Sequence, residues 1–194
     1  KVCGSAMKAV MLAADAIKAG SASVVVAGGM ESMTNAPYLL KKARGGYRLG
    51  HDKIYDHMML DGLEDAYEEG RSMGLFGEDC AAKYNFTRQM QDDFAMASVQ
   101  RAQQAIASGA FKDEITPVTI KDRKGERVVD TDEGPGRIKP EKIPTLKPAF
   151  KKDGTVTAAA SSSINDGAAA VVLMTESRAK ELGCKPLARI VSYA

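Results

Sequence analysis

Residues 1–29 read KVCGSAMKAVMLAADAIKAGSASVVVAGG, and this stretch decides the fold class. Met7, Val10, Met11, Ala14 and Ile17 recur at the spacing of one buried helical face, and Gly20 ends the run. The spacing predicts a helix over residues 4–20. Residues 24–27, Val-Val-Val-Ala, then read as a short apolar strand bounded by Gly28 and Gly29. A helix followed by a continuous Val run is half of an α/β unit, because strands buried on both faces of a parallel sheet lose the alternation of half-buried ones. Cys3 stands just ahead of the helix, where unpaired N–H groups and the positive end of the helix dipole favour thiolate over thiol. That is the setting of a nucleophile. The strand that normally precedes such a helix is expected ahead of Cys3.

Working outward, residues 35–59 are rich in glycine and basic side chains and read as an extended excursion. Residues 60–85 suggest one or two short helices. Thr87 can cap a long helix through about Ser108, with Met90, Phe94, Ala97, Ala102, Ala105 and Ile106 expected on its inner side and Gly109 at its end. The apolar runs ITPVTI and ERVV flank Lys124-Gly125 and predict a hairpin. Pro135, Pro140, Pro144 and Pro148 fall within fifteen residues of one another, so 134–148 is expected to be an irregular surface loop. Regular structure is expected again after Thr155: a small-residue loop, a buried strand AAAVVLMTE, a short helix stopped by Gly183, and a final strand LARIVSYA. The outer segments thus read as one α/β domain, with residues from about 31 to 152 inserted between them.

Composition sets the bounds. The chain has 194 residues, 44% hydrophobic and 27% charged, with a net charge of +2, as in a globular domain with a sizeable core. The near balance of charge gives no reason to expect nucleic acid or an anionic membrane as a partner. Aromatics are 6% and Trp is absent, so stacking platforms are not expected. Cys3, Cys80 and Cys184 are odd in number and far apart, which argues against disulfides or a zinc site and for a reducing, cytoplasmic setting. No apolar run reaches membrane length.

The motifs KVCGSAMKAV, VVVAGGMESMTNAPYLL and GTVTAAASSSINDGAAAVVLM, in this order and spacing, resemble the thiolase family, in its biosynthetic acetyl-CoA acetyltransferase branch. DGLEDAY at 61–67, the Met-Gly-x-x-x-Glu run at 73–78 and LKPAF at 146–150 extend the resemblance over essentially the whole chain. It implies an α/β thiolase-like fold, with residues 1–30 and 153–194 as part of the N-terminal α/β domain. The last strand would be the possible start of the C-terminal domain. Residues 31–152 would be the inserted α+β loop domain that covers coenzyme A and contributes oligomer contacts.

The resemblance also implies a chemistry. The cysteine matching Cys3 takes the acyl group of an acyl-CoA as a thioester. A second acetyl-CoA, deprotonated at its α-carbon, then condenses with it; the reverse reaction cleaves a 3-ketoacyl-CoA. Cysteine suits both halves, since the thiolate is a strong nucleophile and a good leaving group. Leu63, Met73, Ala149, Phe150 and Ser162 fall where thiolases line the pantetheine and acyl pocket, and Arg137 falls by the adenine. Residues 41–53 match a segment that makes tetramer contacts near the coenzyme A phosphate. The implied partners are acetyl-CoA, acetoacetyl-CoA and further copies of the chain, as dimer or tetramer. Coenzyme A thioesters are substrates, with no cofactor and no metal.

Some positions depart from the family pattern: Ser72 replaces a frequent histidine, Ala160 a frequent asparagine and Ala6 a frequent glycine. The Gly-His-Pro, Cys-Gly-Gly-Gly and Asn-Glu motifs, which supply the base and the second cysteine, do not occur in these residues. His51 and His57 read as polar residues of the excursion, and Cys80 and Cys184 as bystanders. The stretch therefore resembles the middle of a thiolase and is expected to be inactive alone. Two rivals stand beside the acetyltransferase reading: a degradative 3-ketoacyl-CoA thiolase, disfavoured because Met73 would narrow the acyl pocket, and a non-catalytic binder of coenzyme A or lipid, disfavoured by the retention of Cys3.

Overall fold

A computed structural model describes residues 1–194 as two units, one formed by 1–66 with 164–194 and the other by 67–163. The divisions fall at 66/67 and 163/164, where the sequence motifs suggested 30/31 and 152/153. Two local features account for the difference. The hairpin and turn between residues 38 and 63 stay with the first unit, whereas Thr155 and Val156 are hydrogen-bonded into the second.

In the first unit, α1 spans Ser5–Lys18, and Ala13 and Ala14 are buried on its inner face. Met7, expected on that face, is exposed. Strand β1 (Val24–Ser32) pairs with β6 (Asp166–Met174) over nine residues, from Val24↔Met174 to Ser32↔Asp166. The pairing is antiparallel, not parallel as the Val run suggested. The strands are also not buried on both faces. Ala27 is buried, while Val26, Met30, Val171 and Val172 are exposed. The two strands form a sheet of their own with α1 packed against it, and β6 is exposed along residues 166–172. A second ladder joins β2 (Tyr38–Leu39) to β3 (Tyr55–Asp56), followed by a wide helical turn at Met59–Leu63. The short helix α5 (Glu176–Glu181) is capped by Thr175, whose Oγ1 accepts from the Arg178 N–H, and ends before Gly183 at φ +66°. Residues 187–194, expected as a final strand, form none among these residues. They are held instead by Tyr193, whose hydroxyl bonds Asp15 and the Lys18 ammonium of α1.

The second unit is built on α2 (Met73–Tyr84) and α3 (Arg88–Ala107). Thr87 caps α3 by accepting from the Met90 N–H at 3.2 Å. The buried face of α3 is Asp92, Ala95 and Val99. Phe94 and Met90, expected inward, are exposed. Strands β4 (Val118–Asp122) and β5 (Gly125–Val129) form the expected hairpin, with residues 123 and 124 in the turn and Gly125 at φ +126°. Residues 134–148 are not a plain surface loop. A short helix α4 (Glu133–Arg137) and a 3-10 segment (Pro140–Thr145) carry them across α3, and Ile143 is the most buried apolar side chain of the chain, 1% exposed. Prolines are tolerated there because 3-10 turns need few N–H donors. Arg88 locks this crossing: its guanidinium bonds both oxygens of the buried Asp92 carboxylate at 2.8–2.9 Å and the Ile143 carbonyl at 3.1 Å.

Candidate functional site

Cys3 lies in a turn one residue before Gly4, the N-cap of α1, and is exposed. No side chain caps this helix end and its first turn carries no acidic residue, so the helix itself supplies no anion to its first-turn N–H groups, although Glu31 of β1 lines the same depression as Cys3. The floor beside Cys3 is a shallow depression of about 370 Å³ lined by small groups, among them Ala6, Gly29, Gly167 and Ala168. The smallness is required. A Cβ on Gly29 would lie 2.8 Å from Cβ of Ala6, and one on Gly28 would lie 2.2 Å from the Ala169 carbonyl oxygen. At the depression α1 packs on β1 through Ala6 and Gly29 with no room for a larger side chain at Gly29. Asp166, at the start of β6, accepts from the Thr34 N–H at 2.9 Å, which secures the turn after β1. The Thr34 backbone donor, together with its hydroxyl, holds the Asp166 carboxyl below its ordinary value. Neither histidine pairs with Cys3. His57 bonds Asp61 at 3.0 Å one helical turn on.

In this first unit Leu63 is half-buried at the end of the wide helical turn. In the excursion, Lys42 pairs with Asp52 at 2.8 Å, which raises the Lys42 ammonium and lowers the Asp52 carboxyl through their mutual hydrogen bond.

The other candidate residues belong to the second unit, and three of them converge. Phe150 stacks over the first turn of α2: a Cβ on Gly74 would overlap its ring. Met73 begins that turn, and the Ala149 N–H donates to the Val156 carbonyl at 2.9 Å. Ser162 lines a separate groove of about 780 Å³ floored by Cys80, Ala81, Phe86, Met90 and Phe94. Arg137 is not brought to either place. It ends α4, exposed, and pairs with Glu133. No three His, Cys, Asp or Glu side chains cluster as a metal cage, and no helix is long and apolar enough to cross a membrane.

Residues 1–177 match the family model described as thiolase, N-terminal domain. The chain belongs to the thiolase family. Its relatives include the acetyl-CoA acetyltransferase of Pseudomonas aeruginosa, 54% identical over 100% of this chain and 50% of that protein, and that of Escherichia coli K12, 53% identical with the same shares. Among solved structures, the Acat5 thiolase of Ascaris suum in complex with coenzyme A superposes with a TM-score of 0.88 at 43% identity, over 100% of this chain and 49% of that one. The acetyl-CoA acetyltransferase of Syntrophomonas wolfei gives 0.87 at 45%, over 95% and 46%. This thiolase chain therefore has the α/β thiolase-like fold, and it spans about half the length of the relatives it matches.

Two functional-looking groups escaped the sequence reading. Glu78 had a signal, since it closes the Met-Gly-x-x-x-Glu run, but its partners at residues 155 and 156 lie far along the chain. Asp166 had none beyond its place in the Ile-Asn-Asp-Gly turn, and its partner is Thr34.

Proposed function

We propose that these residues belong to an acetyl-CoA C-acetyltransferase in which Cys3 carries the acetyl group. The observation that carries the reading is identity of 50–54%, along the whole chain, to proteins named acetyl-CoA acetyltransferase or probably so, combined with an exposed cysteine beside an uncapped helix start. The Cys3 thiolate attacks the thioester carbonyl of acetyl-CoA. The new S–C bond forms, the C–S bond to coenzyme A breaks, and coenzyme A leaves as a thiolate that takes up a proton. First-turn N–H groups of α1 are suited to the oxyanion formed on the way. The α-carbanion of a second acetyl-CoA then attacks the acetyl-cysteine, which yields acetoacetyl-CoA and returns the Cys3 thiolate. The base that forms the carbanion is assigned to residues outside these 194, since His51 and His57 are not placed for it.

On this reading Leu63, Met73, Ala149, Phe150 and Ser162 contact the pantetheine and acyl group and Arg137 the adenine. Met73 keeps the pocket short. No cofactor is assigned, and the working form is a cytoplasmic homo-oligomer, a dimer or a tetramer. The test is intact-mass spectrometry of the full-length protein after mixing with acetyl-CoA. One acetyl group is expected on Cys3, and Cys3→Ala loses it along with condensation activity, by at least about a thousandfold. A wild-type protein without the adduct, or a Cys3→Ala variant that keeps its activity, refutes the reading.

A further inference from the structure

In the second unit a strap at residues 154–156 is held by one carboxylate of α2. Glu78 is on α2 and only 9% exposed. Its Oε1 accepts from the Thr155 N–H at 3.0 Å and the Val156 N–H at 2.9 Å, and its Oε2 accepts from the Thr155 N–H at 3.0 Å. The approach is so close that a Cβ on Gly154 would sit 2.2 Å from Oε1. The strap held this way extends in two directions. On one side the Val156 carbonyl takes the Ala149 N–H, and Thr157 bridges to Pro148, which fixes Ala149 and Phe150 against Gly74, one turn before Glu78. On the other side a 3-10 turn at Ala158–Ala160 and the Ser161 hydroxyl, donated to the Thr157 carbonyl at 2.8 Å, lead to Ser162.

We propose that Glu78 is the positioning residue for the coenzyme A-facing wall of this unit, and the inference rests on the substrate reading above. Its chemistry fits the task. An ionised carboxylate only accepts, so both oxygens can serve adjacent N–H groups at once. A glutamine keeps one oxygen for these N–H groups but puts an NH2 donor where Oε2 accepts from Thr155. Glu78 touches no substrate; it acts through Ala149, Phe150 and Ser162, so its loss weakens coenzyme A binding rather than the step at Cys3.

The experiment uses the full-length protein with Glu78→Gln and Gly154→Ala, read by steady-state kinetics, by calorimetric titration with coenzyme A, and by thermal unfolding. The expected result for both variants is a KM for acetyl-CoA and a Kd for coenzyme A raised about tenfold, as for loss of charge-assisted hydrogen bonds, with kcat within about threefold of wild type. Unchanged Kd overturns the proposal, as does a loss confined to kcat. A Glu78→Gln protein that does not fold also overturns it, since the residue would then serve folding alone. A wild-type protein without Cys3 acetylation defeats the acetyltransferase reading instead, and the coenzyme A titration still decides the role of Glu78.

Discussion

Placing a methyl group on Gly29 tests how α1 is seated beside Cys3. In Gly29→Ala the new Cβ would lie 2.8 Å from Cβ of Ala6 and 3.4 Å from its Cα. Carbon atoms pack best at about 3.5–4.0 Å, so the helix start must retreat by roughly 1 Å. Overpacking of this kind costs about 1–3 kcal/mol. Alanine in place of a strand glycine returns about 0.5–1 kcal/mol. The net expectation lies between no change and a loss of about 2.5 kcal/mol. Ala6→Gly removes the opposing methyl at a cost of up to about 1 kcal/mol in helix propensity. The double variant is therefore expected to regain most of the strain, with a coupling energy of about 0.5–2 kcal/mol in a four-protein cycle. The assay is urea unfolding of the full-length proteins together with the rate of Cys3 alkylation by iodoacetamide, because Cys3, Ala6 and Gly29 line one depression. Alkylation is expected to change in Gly29→Ala and to return in the double variant. Strictly additive single effects, with no coupling between Gly29→Ala and Ala6→Gly, would refute the close approach.

Further expectations follow from the ion pairs. Arg88→Ala leaves the Asp92 carboxylate, 4% exposed, without its partner. Since Arg88 is itself partly exposed, the loss expected in urea unfolding is about 2–3 kcal/mol, with Asp92→Asn costing roughly half; a loss below about 0.5 kcal/mol for Arg88→Ala would count against the lock on Ile143. Asp166 has a folded carboxyl held below its ordinary value of 3.8 by Thr34. Its stabilisation is therefore complete above that value and is lost as pH falls through the lower folded value. Asp166→Asn is expected to flatten this acid limb in unfolding midpoints taken from pH 5 downward, and an unchanged limb would argue that Thr34 does not favour the ionised form.

The elements legible in the sequence are those fixed by neighbours within a few residues. The α1 periodicity, the Thr87 cap with its Met90 partner, the β4–β5 hairpin and the stop at Gly183 each need only local chemistry. What sequence distance hides is different. The Val run at residues 24–26 declares a strand but not its partner, and the partner is an antiparallel strand beginning at Asp166. Ile143 sits among prolines, so local rules assign it to a surface loop, yet α3 covers it. Glu78 and Asp92 are buried carboxylates whose hydrogen-bond partners decide their burial. For the site, the place of Cys3 beside a helix start is local and legible. The candidate coenzyme A contacts were reached through family motifs, and the structure gathers Met73, Ala149 and Phe150 while leaving Arg137 apart.

The pairing of β1 with β6 also has a consequence for biosynthesis. Residues 33–165 lie between the two strands. At about 5–20 residues per second, the ribosome needs roughly 7–27 s to deliver the second strand after the first. The unit formed by 67–163 is continuous in sequence and can form during that interval. Strand β1 cannot form its ladder with β6 in that time. Nascent chains stalled before residue 166 therefore lack the β6 partner, and the edge of β1 that faces β6 is open to a holdase chaperone.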